Sequence, residues 1–358
     1  MTAREKQILE WIKADPTISQ ERLAGLAGIT RSAVAVHISN LTKKGYLAGK
    51  GYVIRGGEYV AVVGGVNIDI GGRAYAPLAA KDSNPGKITV APGGVGRNIA
   101  QVLRLLDVEV NFFTALGDDI YTRRITDSCE EAGIDISRAL RVAGGSTPTY
   151  IYLNDPNGEL AVALSDMELC ERIDPSYLAA NLPALNNARA VIVDANLPEE
   201  SLAFIADHCS APIFADPVST KKAVKLKPLL GKIHTLKPNR IEAETLSGVE
   251  ITDRESLARA AEKLLGTGLE RVFISLGKEG VCAANREGVY FCPCFEAKVK
   301  NTAGAGDAFT AALAASFLRG KDLASSCRFA AAAAALNTEC AETVNPLISV
   351  EAIERMIK

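Results

Sequence analysis

Apolar and polar positions follow two distinct periods along most of this chain. From 59 to 63 the run Tyr-Val-Ala-Val-Val is apolar throughout and is closed by Gly64 and Gly65, the pattern of a strand buried on both faces. The same pattern returns at 190–194, 213–216 and 271–275. Between these runs, apolar residues recur at helical spacing over 97–106, 120–132, 198–208 and 256–265. Strands alternating with helices predict an α/β fold with a doubly wound, mostly parallel sheet, in which ligands bind at the carboxyl ends of the strands.

Short alternating segments at 87–90, 149–153 and 160–164 have a different texture, and Asn154-Asp-Pro-Asn-Gly158 supplies turn chemistry between the last two. These predict a small antiparallel β flap.

Ahead of the first buried strand the pattern is wholly helical. Apolar positions Ile8, Leu9, Trp11 and Ile12 define a first helix, which Asp15-Pro16 stops. Ser19 caps a second helix over 20–27, Gly28 turns the chain, and Thr30 or Arg31 opens a third that runs to Lys43. A short ribbon over 45–54 follows as a wing. The chain therefore divides into a winged helix-turn-helix domain at 1–56 and a large domain at 59–358. The third helix offers Arg31, Ser32, His37, Ser39 and Asn40 to base edges, with Lys43, Lys44 and Lys50 available to phosphates. A protein-interaction module built on the same three helices is the alternative reading.

Charge sharpens this division. The first 58 residues carry nine Lys/Arg against five Asp/Glu, while the whole chain of 358 residues has a net charge of -2, so the large domain is net acidic. Eight cysteines, mostly inside apolar runs, read as reduced thiols packed as small hydrophobes, which favours the cytoplasm. No run approaches the length of a membrane span and no export signal opens the chain. Three scattered histidines, His37, His208 and His234, argue against a structural zinc site or a histidine-based triad.

The strongest chemical signal is Asn301-Thr-Ala-Gly-Ala-Gly-Asp307 running into an alanine-rich helix. Glycine-freed backbone amides at a helix start bind anions, and the carboxylate beside them can take a proton, the two needs of phosphoryl transfer. Capping of the helix by Asp307 is the plain structural alternative. A second glycine segment, Gly93-Gly94-Val-Gly-Arg-Asn98, lacks the spacing of a dinucleotide-binding loop.

Together these two segments resemble the signatures of the PfkB (ribokinase-like) carbohydrate kinases. Gly64-Gly65-Val-Asn67-Ile-Asp69 resembles the family's sugar-binding first-strand segment, Lys237-Pro-Asn239-Arg-Ile-Glu242 its N-x-x-E element, and Ser275-Leu-Gly277-Lys-Glu-Gly280 its nucleotide loop, all in the family's order. The resemblance runs from about Tyr59 to Lys358. It implies ATP as phosphoryl donor, with Asp307 as base and Gly304, Ala305 and Gly306 as anion hole. Asn67, Asp69, Gly93, Gly94 and Asn98 would hold sugar hydroxyls; Ser275, Gly277 and Gly280 would hold the nucleotide. Asn239 and Glu242 would orient Mg2+ through water. The family pattern begins with Asp where this chain has Asn301, a position that contributes to a monovalent-cation site, so potassium activation is not implied.

Asn84-Pro-Gly86, the GGVGRN form of the glycine segment, Asp216-Pro-Val-Ser219 and Asn301 most resemble the pseudouridine kinases of the family. This implies 5'-phosphorylation of pseudouridine, with Thr147, Thr149, Tyr150 or Asn196 available to the base. Other nucleosides or ribose are the nearer alternatives, and a DNA-binding regulator using the kinase fold as ligand sensor is the more distant one. A homodimer fits both the family's habit of joining flap sheets and paired winged helices.

Overall fold

The structure, a computed structural model, describes residues 1–15, 18–44, 46–47 and 58–358. They divide into two compact units, Met1–Glu58 with Asn187–Arg189, and Tyr59–Asn186 with Ala190–Lys358.

The first unit is built on three helices, Ala3–Ala14, Gln20–Ala27 and Arg31–Lys43. Each begins where a hydroxyl side chain, Thr2, Ser19 or Thr30, accepts a backbone N–H of the first turn, and Gly28 closes the second helix in the left-handed conformation. Ile8, Ile12, Leu23, Val34 and Leu41 form its fully buried core. The expected wing over 45–54 lies outside the described residues except for Tyr46 and Leu47, and so does Lys50.

The second unit contains fourteen strands: β1 (Tyr59–Val63), β2 (Asn67–Ala74), β3 (Gly86–Gly93), β4 (Glu109–Phe113), β5 (Ala115–Leu116), β6 (Leu140–Arg141), β7 (Thr149–Asn154), β8 (Leu160–Asp166), β9 (Ala190–Asp194), β10 (Ile213–Asp216), β11 (Thr235–Leu236), β12 (Arg271–Ser275), β13 (Val281–Asn285) and β14 (Gly288–Cys292). The large sheet has the order β14-β13-β12-β11-β10-β9-β1-β4. It is parallel from β4 to β12 and antiparallel across β12, β13 and β14. Strand β1 lies between β4 and β9, so the chain winds first to one side of β1 and then to the other. The crevice beyond the carboxyl ends of β1 and β9 is where such sheets receive ligands.

Strands β9 and β10 are buried along their whole length, as their unbroken apolar runs require. The helix Ala305–Leu318 is buried from Ala308 to Ser316 and packs against Leu323–Asn337 and Val95–Leu105. Runs of alanine let these three helices approach closely.

The flap corrects one expectation. It is a four-stranded sheet of order β3-β2-β7-β8, and it is mixed, because β2 and β7 pair in parallel. A long crossover joins these two strands instead of a hairpin, and crossovers return the chain in the same direction. The sequence pattern marked β3, β7 and β8 as flap strands and missed that Asn67 and Asp69 lie on a fourth, β2.

Candidate active site

Polar side chains gather at the carboxyl end of the large sheet. Asp194 ends β9 and Asp216 ends β10, and the two are register neighbours. Asp194 is buried, and its carboxylate accepts the N–H of Gly65 and of Asn196, both at 2.8 Å. That arrangement ties the loop after β1 to the end of β9. Burial nevertheless drives its pKa above the ordinary value, with those two N–H donors pulling the other way.

Asp216 is equally buried and fully engaged. Its Oδ1 accepts Val218 N–H at 2.9 Å, while its Oδ2 accepts Thr310 Oγ1–H at 2.8 Å and lies 3.2 Å from Lys237 Nζ. Burial alone would lower the Lys237 pKa, but the carboxylates of Asp216, Glu242 and Asp307 outweigh it and hold the ammonium above its ordinary value. A buried cation among three carboxylates remains charged and is available to phosphate oxygens.

Asp307 lies in the first turn of the helix Ala305–Leu318, whose N-cap is Gly304 in the left-handed conformation. No side chain caps this helix, and the Asp307 carboxylate turns inward to accept Asn98 Nδ2–H at 2.8 Å. The capping alternative is thereby set aside. Burial, reinforced by Asp216, pushes the Asp307 pKa up to about 7, against the opposing effects of the Asn98 hydrogen bond and Lys237. A carboxylate so poised is a matched general base near neutrality.

Asn98 belongs to the helix Val95–Leu105, which starts directly after Gly93 and Gly94. These two glycines are sterically required: a Cβ on Gly93 would collide with the Asp69 carboxylate, and Gly94, with φ 99°, lies against Gly65 O and Val66 Cα. On β2, Asn67 Nδ2 donates to Asp69 Oδ1 at 2.6 Å. Burial raises the Asp69 pKa, partly offset by Asn67 and Arg97. Asn67, Asp69, Gly93, Gly94 and Asn98 thus form one polar floor that ends at Asp307.

Beside the turn Gly304–Gly306 a cavity of about 600 Å³ opens, its lining including Lys237, Ser275, Gly277, Gly280, Ala305 and Gly306. Val281, Phe295, Val299, Ala334 and Ala335 also line it and give it apolar wall. A triphosphate at the glycines with a flat base against the apolar wall suits this mix of polar and apolar lining. Asn239 bridges to Ser275 and forms a reciprocal capping box with Glu242, whose own carboxyl is raised by burial. No group of three His, Cys, Asp or Glu side chains gathers as a metal site among the described residues. A magnesium ion held mainly by phosphates and water needs no such group, and Asn239 and Glu242 are the polar side chains placed beside the cavity's Ser275 and Lys237.

Not every candidate joins these two surfaces. Thr147 is committed to Asp119 and Thr122, at 2.6 and 3.0 Å, and Thr149 Oγ1 donates to Thr147 O. Asn196 is buried with its Oδ1 taken by Lys222 Nζ at 2.5 Å. Both ends of the Asn301 amide bind neighbouring backbone, Ala341 O and Ala303 N–H. In the N-terminal unit Arg31, Ser32 and Lys43 are exposed, His37 is half-buried, and Lys44 is held by the buried Glu5 at 2.7 Å. Sequence reasoning missed Asp194, Asp216 and Lys237 as site residues. For Asp194 and Asp216 the signal was a carboxylate ending an otherwise apolar strand; Lys237 follows the two-residue β11 and carried no such signal.

Residues 58–349 match the pfkB family carbohydrate kinases, and residues 1–48 match winged helix-turn-helix DNA-binding domains. The chain belongs to the pfkB family of carbohydrate kinases and carries an N-terminal winged helix-turn-helix domain. It is 39% identical to the pseudouridine kinase of Escherichia coli (strain K12) over 304 residues, 84% of this chain and 97% of that protein. A protein of the same organism described as an uncharacterized sugar kinase, YeiI, is 37% identical over 355 residues, 98% of each chain. The ribokinase of Thermotoga maritima shares the fold, with a TM-score of 0.76 at 24% identity over 84% of this chain and 99% of that one. The protein is accordingly a phosphotransferase with an alcohol acceptor, of the sugar and nucleoside kinases; the family uses ATP, and Mg2+ is typical of it.

Proposed function

We propose that the protein transfers the γ-phosphoryl group of ATP to the 5'-hydroxyl of pseudouridine, with Asp307 as the base. The observation that carries the reaction is the place of Asp307, between the Asn67–Asp69–Asn98 floor and the cavity that begins at Gly306. The ribosyl group lies on the floor, where Asp69 accepts and Asn67 and Asn98 pair with its hydroxyls. Asp307 takes the proton of the attacking hydroxyl as it adds to phosphorus, and the N–H groups of the turn Gly304, Ala305 and Gly306 receive charge on the transferred group. Lys237 adds a fixed positive charge beside that turn. Bound Mg2+ would neutralise phosphate charge, and Asn239 and Glu242 are the residues to hold it through water. The pseudouridine assignment is supported by the 39% identity to a pseudouridine kinase along nearly its full length.

The test is turnover of ATP with pseudouridine, uridine, inosine, adenosine, cytidine and ribose, beside Asp307→Asn. Phosphorylation of pseudouridine, lost in the variant, is expected. Preference for another acceptor would retain the mechanism and discard the substrate.

A second reading concerns the first unit, whose third helix leaves Arg31, Ser32 and Lys43 exposed on a three-helix body. We propose that it binds DNA and that ligand binding in the kinase unit changes its affinity. DNA-binding measurements with and without nucleoside and ATP test this, and an affinity indifferent to both would remove the regulatory role. Within this reading the chain acts in the cytoplasm as a homodimer.

A further inference from the structure

Arg97 is a buried cation that none of the roles above uses. It is 7% exposed, and among the described residues no carboxylate lies within ion-pair distance of it. Burying a guanidinium without an ionic partner is costly, so such a residue persists where its charge acts on something nearby. Its Nη2 donates to Ser128 Oγ at 2.6 Å and its Nη1 to Asn98 Oδ1 at 3.5 Å, while its Nε is buried with no partner.

The consequence for Asn98 is directional. With Oδ1 facing the Arg97 cation, the amide must present Nδ2 to Asp307, as it does at 2.8 Å. The flipped amide would set an oxygen against the Asp307 carboxylate and its NH2 against a guanidinium, two repulsions at once. Arg97 also reaches Asp69 through space, holding its carboxyl down together with Asn67 against the effect of burial. The other elements around Asp69 supply no second cation: β3 contributes Gly93, which has no side chain, and β7 contributes the neutral Tyr152 hydroxyl. Around Arg97 itself, the helix Ile120–Glu131 contributes Ser128 and the thiol of Cys129, which burial raises to about 11 and so keeps uncharged.

We propose that Arg97 is a positioning residue of the acceptor site, which fixes the Asn98 amide toward Asp307. This rests on the reading of Asp69 and Asn98 as acceptor-binding residues given above. Arg97 touches no reacting atom; it acts through its two neighbours.

The test compares wild type, Arg97→Met and Arg97→Lys across pH 5.5–9, with kcat and KM measured for ATP and for whichever of pseudouridine, uridine or ribose the wild type turns over best. Arg97→Met is expected to raise the acceptor KM about tenfold at pH 8 and more at pH 6, because Asp69 then protonates at higher pH. Its KM for ATP stays within about twofold. Arg97→Lys, which retains charge without the fork, restores the pH profile and only part of the acceptor KM. A lowered melting temperature with wild-type acceptor KM and pH profile would reduce Arg97 to packing and overturn the proposal. If Arg97→Met does not fold, Ser128→Ala loosens the guanidinium instead; a raised acceptor KM supports the proposal and an unchanged one overturns it. Asp69→Asn separates the two layers: a wild-type acceptor KM there means that Asp69 does not hold the acceptor, and the underlying reading fails before Arg97 is considered.

Discussion

Asn98 Nδ2 and Asp307 Oδ2 lie 2.8 Å apart, although 209 positions separate the two residues in the chain. The bond joins the helix Val95–Leu105 to the helix Ala305–Leu318. An amide donor cannot itself accept a proton from the acceptor hydroxyl, so in the proposed mechanism that falls to Asp307. The amide stabilises the ionised carboxylate and leaves the proton transfer to the acceptor hydroxyl.

Asp307→Asn removes the carboxylate proposed as base but retains the shape. We expect kcat to fall by about 10²–10⁴ with KM for acceptor and ATP changed little, the pattern of a group used in the transition state. Steady-state kinetics of the purified variant check this, and a kcat within tenfold of wild type would exclude Asp307 as the base.

The pKa of about 7 at Asp307 has two further consequences of opposite sign. Activity should rise with pH through about 7, since only the ionised carboxylate accepts a proton. Stability should fall over the same span: the folded state binds the proton more tightly than the unfolded chain, so the contribution is present below the unfolded value, near 3.8, and is lost as pH rises through about 7. Asp307→Asn removes the buried charge, so its melting temperature should exceed that of wild type at pH 8, with a smaller difference at pH 5. Calorimetry at the two pH values decides it, and equal melting temperatures at pH 8 would contradict the raised pKa.

The sequence showed the segment Asn301–Asp307 as a turn at a helix start, which capping alone could explain, and only its agreement with the other family-like segments singled it out; β9, β10 and β12 were located because buried parallel strands read as unbroken apolar runs. Strand β11, of two residues, carries too little pattern to be seen alone, whereas the β13–β14 hairpin, with Val289, Tyr290 and Phe291, carried a strand signal that went unread. The Asp216–Lys237 pair was hidden for another reason. Their 3.2 Å contact comes from the parallel register of β10 beside β11, a property of the sheet and not of either segment. Lys44 shows the converse, a residue free in the sequence that the fold commits to Glu5, whose carboxyl the ion pair holds at about 2.

Gly93 faces the Asp69 carboxylate with no room for a methyl group. Gly93→Ala should therefore displace Asp69 and raise the acceptor KM by about tenfold or more, as expected when a hydrogen-bonding group to a charged partner is lost. The cavity proposed for the nucleotide is lined by other residues, among them Ser275, Gly277 and Gly306, so KM for ATP should hold. Comparable losses for both substrates would show instead that the substitution disturbs the helix Val95–Leu105 as a whole.

One face of the flap is apolar and unprotected. The register sets Ile88 beside Gly72, Ile70 beside Ile151, Leu153 beside Val162 and Ile151 beside Leu164, so these side chains share a face, and Ile88, Val162 and Leu164 are 72%, 56% and 70% exposed. A contiguous apolar sheet face of this kind is the mark of an interface rather than of a solvated surface. The homodimer proposed above would cover it with the same face of a second copy. Leu164→Asp, alone or with Val162→Asp, places charge at its centre, where pairing two copies would bring like charges together. Light scattering should then report a dimer for wild type and a monomer for the double variant, with the acceptor KM raised because β2 carries Asn67 and Asp69 on the same sheet. A wild-type monomer, or a dimer unaffected by both substitutions, would show that this face is not where two copies meet.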